Sequence, residues 1–156
     1  MCAESKDAEY TCISRGAGDT FDLGLRLGRR AAAGEVYALY GDLGSGKTAF
    51  AQGFAKGLGI DEAVTSPTFV ICCAYEGGRL PLYHFDAYRI ADVSEMEEIG
   101  YEEFFYGDGV SLVEWADLVE ELLPRDCIRV WIERVSNDDF DVRRIRISGV
   151  RAECLQ

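Results

Sequence analysis

The sequence predicts an α/β fold: one domain of three layers around a mixed parallel and antiparallel sheet. Three observations predict it. A glycine-rich run at 41–48 sits between an apolar strand-like run and a helix-like run, the order expected of a strand–loop–helix unit. Residues 69–85 read instead as two strands joined by a Gly-containing turn, so the sheet cannot be purely parallel. The chain has 156 residues, 48% of them apolar, with no repeat and no linker-like stretch. One domain of that size, taken as residues 1–156 with frayed tails, buries roughly two-thirds of its extended-chain surface.

The elements follow in order. Residues 19–33 read as a helix that Asp19 or Thr20 can cap, with Phe21, Leu23, Leu25 and Leu27 as apolar positions and Gly34 as the stop. Residues 36–40 are a strand. The helix after the glycine-rich run spans 48–58, with Phe50 and Phe54 on one face and Gly59 at its end. Residues 69–75 and 80–85 form the hairpin around the turn 76–79. Residues 94–106 are an acidic helix or two helical turns. A strand at 111–115 ends on an acid, and 116–123 is a short helix stopped by Pro124. Strands at 128–133 and 144–148 close the sheet.

Gly41-Asp-Leu-Gly-Ser-Gly-Lys-Thr48 is a complete G-x-x-x-x-G-K-[ST] motif, which makes the predicted domain a P-loop NTPase. Its glycines allow the backbone to approach a phosphate where a Cβ would obstruct. The exposed N–H groups form an anion nest at a helix N-terminus. Gly41, Asp42, Leu43, Gly44, Ser45, Gly46, Lys47 and Thr48 are therefore the expected phosphate-binding residues. Lys47 supplies charge to the β- and γ-phosphates, and the Thr48 hydroxyl a ligand for Mg²⁺.

Hydrolysis also needs the metal held from a second side and the attacking water oriented. Asp86 and Glu114 end apolar strand runs, where ligands of open α/β sheets bind. Both are candidate catalytic and metal residues; solvent exposure at a strand end is the plainer alternative. Ser66 and Thr68 flank Pro67 and could sense a γ-phosphate, or simply turn the chain. His84, the lone histidine, stands between Tyr83 and Phe85 and reads as packing rather than catalysis; Trp115 could pack over the nucleotide edge or fill core, and reads as core.

Composition bounds the rest. The net charge is −12, with lysine only at 6, 47 and 56, which disfavours stand-alone binding of a polyanion. No apolar run reaches the length of about 18 residues that a membrane span needs, and the N-terminus lacks a basic-then-apolar leader; a cytoplasmic protein is expected. Cysteines at 2, 12, 72, 73, 127 and 154 fit no zinc spacing. Reduced, buried thiols are expected, with Cys72 and Cys73 on opposite faces of a strand.

The motif series resembles one family. The P-loop, Ser66-Pro-Thr-Phe69, His84-Phe-Asp-Ala-Tyr-Arg89, Glu98-Ile-Gly-Tyr-Glu-Glu-Phe104 and Val113-Glu-Trp115 occur in an order similar to that of the TsaE (YjeE) proteins, small bacterial P-loop ATPases. The resemblance implies ATP and Mg²⁺ as cofactors and weak hydrolysis without partners. It implies a role beside TsaD and TsaB in making threonylcarbamoyladenosine next to the tRNA anticodon, with tRNA met only through those partners. It matches Asp86 and Glu114 to the family's acids, Ser66 and Thr68 to its switch region, and Arg143 to a C-terminal arginine. Ala49 departs from the second threonine that family members often carry. A GTPase is excluded by the lack of an Asn-Lys-x-Asp motif; a P-loop kinase and a nucleotide-gated binding module stay open.

Overall fold

Side chains alternating with a period of two divide the central strands between two apolar faces. In the computed structural model, which describes residues 9–42, 44–65, 70–136, 138–139 and 141–150, these strands build one seven-stranded sheet. The elements are β1 (Tyr10–Ser14), α1 (Ala17–Arg30), β2 (Val36–Tyr40), α2 (Lys47–Gly57), β3 (Cys72–Tyr75), β4 (Leu82–Asp86), α3 (Ser94–Glu98), α4 (Tyr101–Phe105), β5 (Val110–Glu114), β6 (Ile128–Arg134) and β7 (Arg143–Ser148). Single 3₁₀ segments, Ala87–Arg89 and Ala116–Leu122, follow β4 and β5.

The strand order is β1-β7-β6-β2-β5-β4-β3. The four central strands, β6-β2-β5-β4, are parallel. β7 and β1 extend one side and β3 the other, all antiparallel. The mixed sheet and three layers expected from the sequence are therefore present. One face buries Leu23 and Leu27 of α1 and Phe50 and Phe54 of α2 against Tyr37, Leu39, Leu112 and Val130. The other packs Met96, Phe105 and Val119 against Val36, Ala38, Phe85 and Val113. Burying each such large side chain contributes about 1.5–3 kcal/mol.

Helices α1 and α2 meet backbone to backbone. A Cβ at Gly53 would lie 2.0 Å from the Phe21 carbonyl oxygen, and one at Gly28 would lie 2.2 Å from that of Phe54. Gly24 and Gly57 repeat the contact one turn away on each helix. This seam clamps the helix that carries the P-loop. Arg79, in the β3–β4 turn, donates to the carbonyls of Gly28 at 2.9 Å, Arg29 at 3.2 Å and Ala31 at 2.8 Å, satisfying acceptors that a helix end leaves open.

Four expectations need adjustment. β1 is a strand the sequence did not announce: it is an edge strand with only Ser14 buried, so it lacks the apolar alternation that marks a half-buried strand. Helix α1 runs 17–30 rather than 19–33, because Ala31 is extended and Arg79 caps the end. Neither expected cap acts as one: the Asp19 carboxylate accepts the Arg15 N–H at 2.9 Å, and the buried Thr20 hydroxyl pairs with that of Ser14 at 2.7 Å. Residues 116–122 form a 3₁₀ segment kinked at Val119, where φ is −128°.

Cys72 and Cys73 do face opposite sides, each packed against a different core cluster. Cys12, Cys72, Cys73 and Cys127 are free thiols. Burial, with Cys73 alongside, pushes the Cys72 thiol up to about 12.

Candidate functional site

The glycine-rich loop leaves the C-terminal end of β2 in mid-sheet and enters α2 at Lys47. A Cβ at Gly41 would sit 2.6 Å from Ser45 Oγ and 2.7 Å from the Ile132 carbonyl oxygen, so glycine is the residue that lets the loop close. Gly46, at φ 111°, is left-handed and opens the helix. Inside the cradle the Ser45 hydroxyl is buried with no partner among the described residues. Arg143 arrives from β7 and donates to the carbonyls of Ser45 at 2.9 Å and Gly44 at 3.0 Å. A guanidinium thus braces the loop's acceptors while leaving its N–H groups to other partners.

Lys47 is only 6% exposed. Its ammonium donates to the Gly41 carbonyl and stands 3.5 Å from the centroid of the Trp115 ring, a cation–π distance. Burial lowers its pKa, against the pull of Glu114, Asp86, Asp117 and Asp42 in decreasing order. Trp115 itself is left-handed at φ 57°, the non-glycine residue in that region among those described. The sharp bend after β5 turns its ring onto Lys47, with Tyr88 packed at 4.9 Å. Trp115 is half-buried: it packs against the core, as expected, and also presents its ring to Lys47 at the loop.

Asp86 and Glu114 end neighbouring parallel strands and are register partners. Asp86 is half-buried, and its Oδ1 accepts the Tyr88 N–H at 3.0 Å. Glu114 is 3% exposed, and its Oε2 lies 3.1 Å from His84 Nε2. So His84, read from sequence as packing, stands against a candidate catalytic acid. Its position two residues before Asp86 on one strand was the available sign, since that spacing keeps both on one face.

Thr48 and Asp42 are exposed at the mouth of the loop. Leu43, Ser66 and Thr68 lie outside the described residues. A cleft of about 600 Å³ adjoins the loop, walled by Tyr40, Asp42, Trp115, Asp117, Trp131 and Arg134.

These residues fit a magnesium nucleoside triphosphate. The closed glycine cradle, the unpartnered Ser45 hydroxyl and the helix N-terminus suit phosphate oxygens. Thr48, Asp86 and Glu114 offer the hard oxygen donors Mg²⁺ takes. Among the described residues no three His, Cys, Asp or Glu gather into a metal cage; Mg²⁺ ordinarily completes its shell with waters and substrate phosphates. Among the same residues no helix is long and apolar enough to cross a membrane.

Known proteins resemble this chain in sequence and in fold. A family model described as threonylcarbamoyl adenosine biosynthesis protein TsaE matches residues 14–145. The tRNA threonylcarbamoyladenosine biosynthesis protein TsaE of Bacillus subtilis (strain 168) is 51% identical over 125 residues, which cover 80% of this chain and 77% of that protein. Its counterpart in Treponema pallidum (strain Nichols) is 40% identical over 131 residues, 84% of this chain and 96% of that one. The crystal structure of Bacillus subtilis YdiB superposes with a TM-score of 0.75 and 37% identity, over 94% of this chain and 88% of that chain.

Proposed function

The chain belongs to the TsaE family, and on that premise we propose that it is a Mg²⁺-dependent ATPase that supports TsaD and TsaB in forming threonylcarbamoyladenosine in tRNA. The observation that carries the ATPase reading is the convergence of Lys47, Asp86 and Glu114 at the closed loop. The loop N–H groups and Lys47 bind the phosphates. Lys47 has to leave the Gly41 carbonyl to do so, and Trp115 holds its ammonium nearby meanwhile. Thr48 and Asp86 would hold the metal, which when bound supplies charge to the β- and γ-phosphate oxygens. Glu114, buried and already fixed, either completes the metal site or orients the attacking water. Adenine is preferred, because no guanine-reading motif is present.

The decisive assay follows radiolabelled γ-phosphate. Free phosphate with ADP, lost in Lys47→Ala, supports the reading. Label on a small metabolite would favour a P-loop kinase, for which the cleft beside the loop offers an acceptor site. Binding without turnover, in the presence of TsaD and TsaB, would leave a nucleotide-gated module. Co-purification with TsaD and TsaB tests the partner assignment separately.

A further inference from the structure

We propose that His84 is a positioning residue for Glu114: its Nε2–H holds one carboxylate oxygen and thereby fixes the direction of the other. Both side chains are almost wholly buried, at 1% and 3% exposure, and 3.1 Å apart. β4 and β5 run parallel, with Asp86 opposite Glu114 and His84 opposite Leu112. Alternation puts Leu82, His84 and Asp86 on one face of β4. The imidazole therefore lies one pleat beneath the paired acids, beside Leu112, between them and the apolar floor of Leu82 and Val110.

The two ring nitrogens separate positioning from packing. A carboxylate only accepts, so the proton of the His84–Glu114 bond sits on Nε2. Nδ1 is buried without a partner among the described residues. An unpaired buried nitrogen is unfavourable, and an apolar side chain at this place would avoid it. The nitrogen that is satisfied is the one facing Glu114. A hydrogen bond to a charged group is short and directional, so losing the His84 donor would loosen the direction in which Glu114 faces the loop.

The inference rests on the role proposed above for Glu114, but its first test does not use the reaction. His84 is the lone histidine in the sequence, so untagged, nucleotide-free protein labelled with ¹⁵N gives one set of imidazole resonances. A proton on Nε2, with that nitrogen's resonance displaced in Glu114→Gln, is the expected result. A bare Nε2 overturns the proposal. The second test compares His84→Gln, which keeps an N–H near the Nε2 position, with His84→Leu, which does not. His84→Leu should lower kcat by about 10–100-fold, as loss of a supporting partner does, with KM for ATP little changed. His84→Gln should restore most of that loss, and His84→Leu should cost nothing further in a Glu114→Gln background. Equal losses in the Gln and Leu variants, or losses that multiply with Glu114→Gln, would mean that His84 only fills space. If the wild-type chain proves not to hydrolyse ATP, the resonance test still decides the His84–Glu114 bond, and the ATPase reading falls alone.

Discussion

Single residues at the loop carry separable duties, and substitutions should separate them. Lys47→Ala removes an ammonium that donates to the Gly41 carbonyl and lies over the Trp115 face. Nucleotide affinity and turnover should collapse while the circular-dichroism melt stays near wild type; an unchanged ATPase rate would dismiss the loop as a phosphate site. Asp86→Asn and Glu114→Gln keep size but drop charge, so each should cut kcat by about 10²-fold or more, with a smaller effect on nucleotide affinity. Stopped-flow binding beside steady-state turnover reads both, and normal turnover in either variant removes that acid from the site. Lys47, Asp86 and Glu114 were legible because a motif or a strand end marks each one. His84 was read as packing because of its flanking aromatics, although its place two residues before Asp86 puts both side chains on one face of the strand. Arg143 lies 98 residues from Ser45, whose carbonyl it binds, and no local pattern announces such a contact; only the family resemblance pointed to it.

Among the elements, the α1–α2 seam is the one that seats the loop. In Gly53→Ala the new methyl would meet the Phe21 carbonyl, and backbone cannot yield as a flexible side chain does. A loss of about 1–3 kcal/mol or more is expected from such overpacking, seen as a lower urea midpoint, together with weaker nucleotide binding as α2 shifts. Wild-type stability in this variant would show that the two helices are not clamped. Arg79→Ala frees three carbonyls at the end of α1. Because the side chain is exposed, the cost should be about 1 kcal/mol. The elements the sequence made plain, β2, α2, β5 and β6, carry apolar runs or a motif. β1 was missed because an edge strand buries little, and the end of α1 because an arginine from a distant turn sets it.

Across the whole molecule, charge sets what the chain meets. With a net charge of −12, long-range forces repel a polyanion. The basic run at Arg143, Arg144 and Arg146 is partly spent: Arg143 braces the P-loop, and Arg146 pairs with Glu133 at 3.0 Å. A gel shift at about 0.15 M salt should show no complex of the isolated protein with tRNA below tens of micromolar; a tight complex would make this chain an RNA-recognising member of its assembly. The closing of the sheet has a different consequence. β1 and β7 are antiparallel neighbours, with Tyr10 opposite Ile147, so the first and last strands begin and end side by side. The fold should therefore tolerate circular permutation. Joining residue 150 to residue 9 through a short Gly/Ser linker, and opening the chain at the exposed Gly77, leaves every strand pairing and the P-loop in place. Such a permutant should melt cooperatively and bind nucleotide like the parent; one that does neither would reveal that β1 must be made first for the remaining strands to find their order.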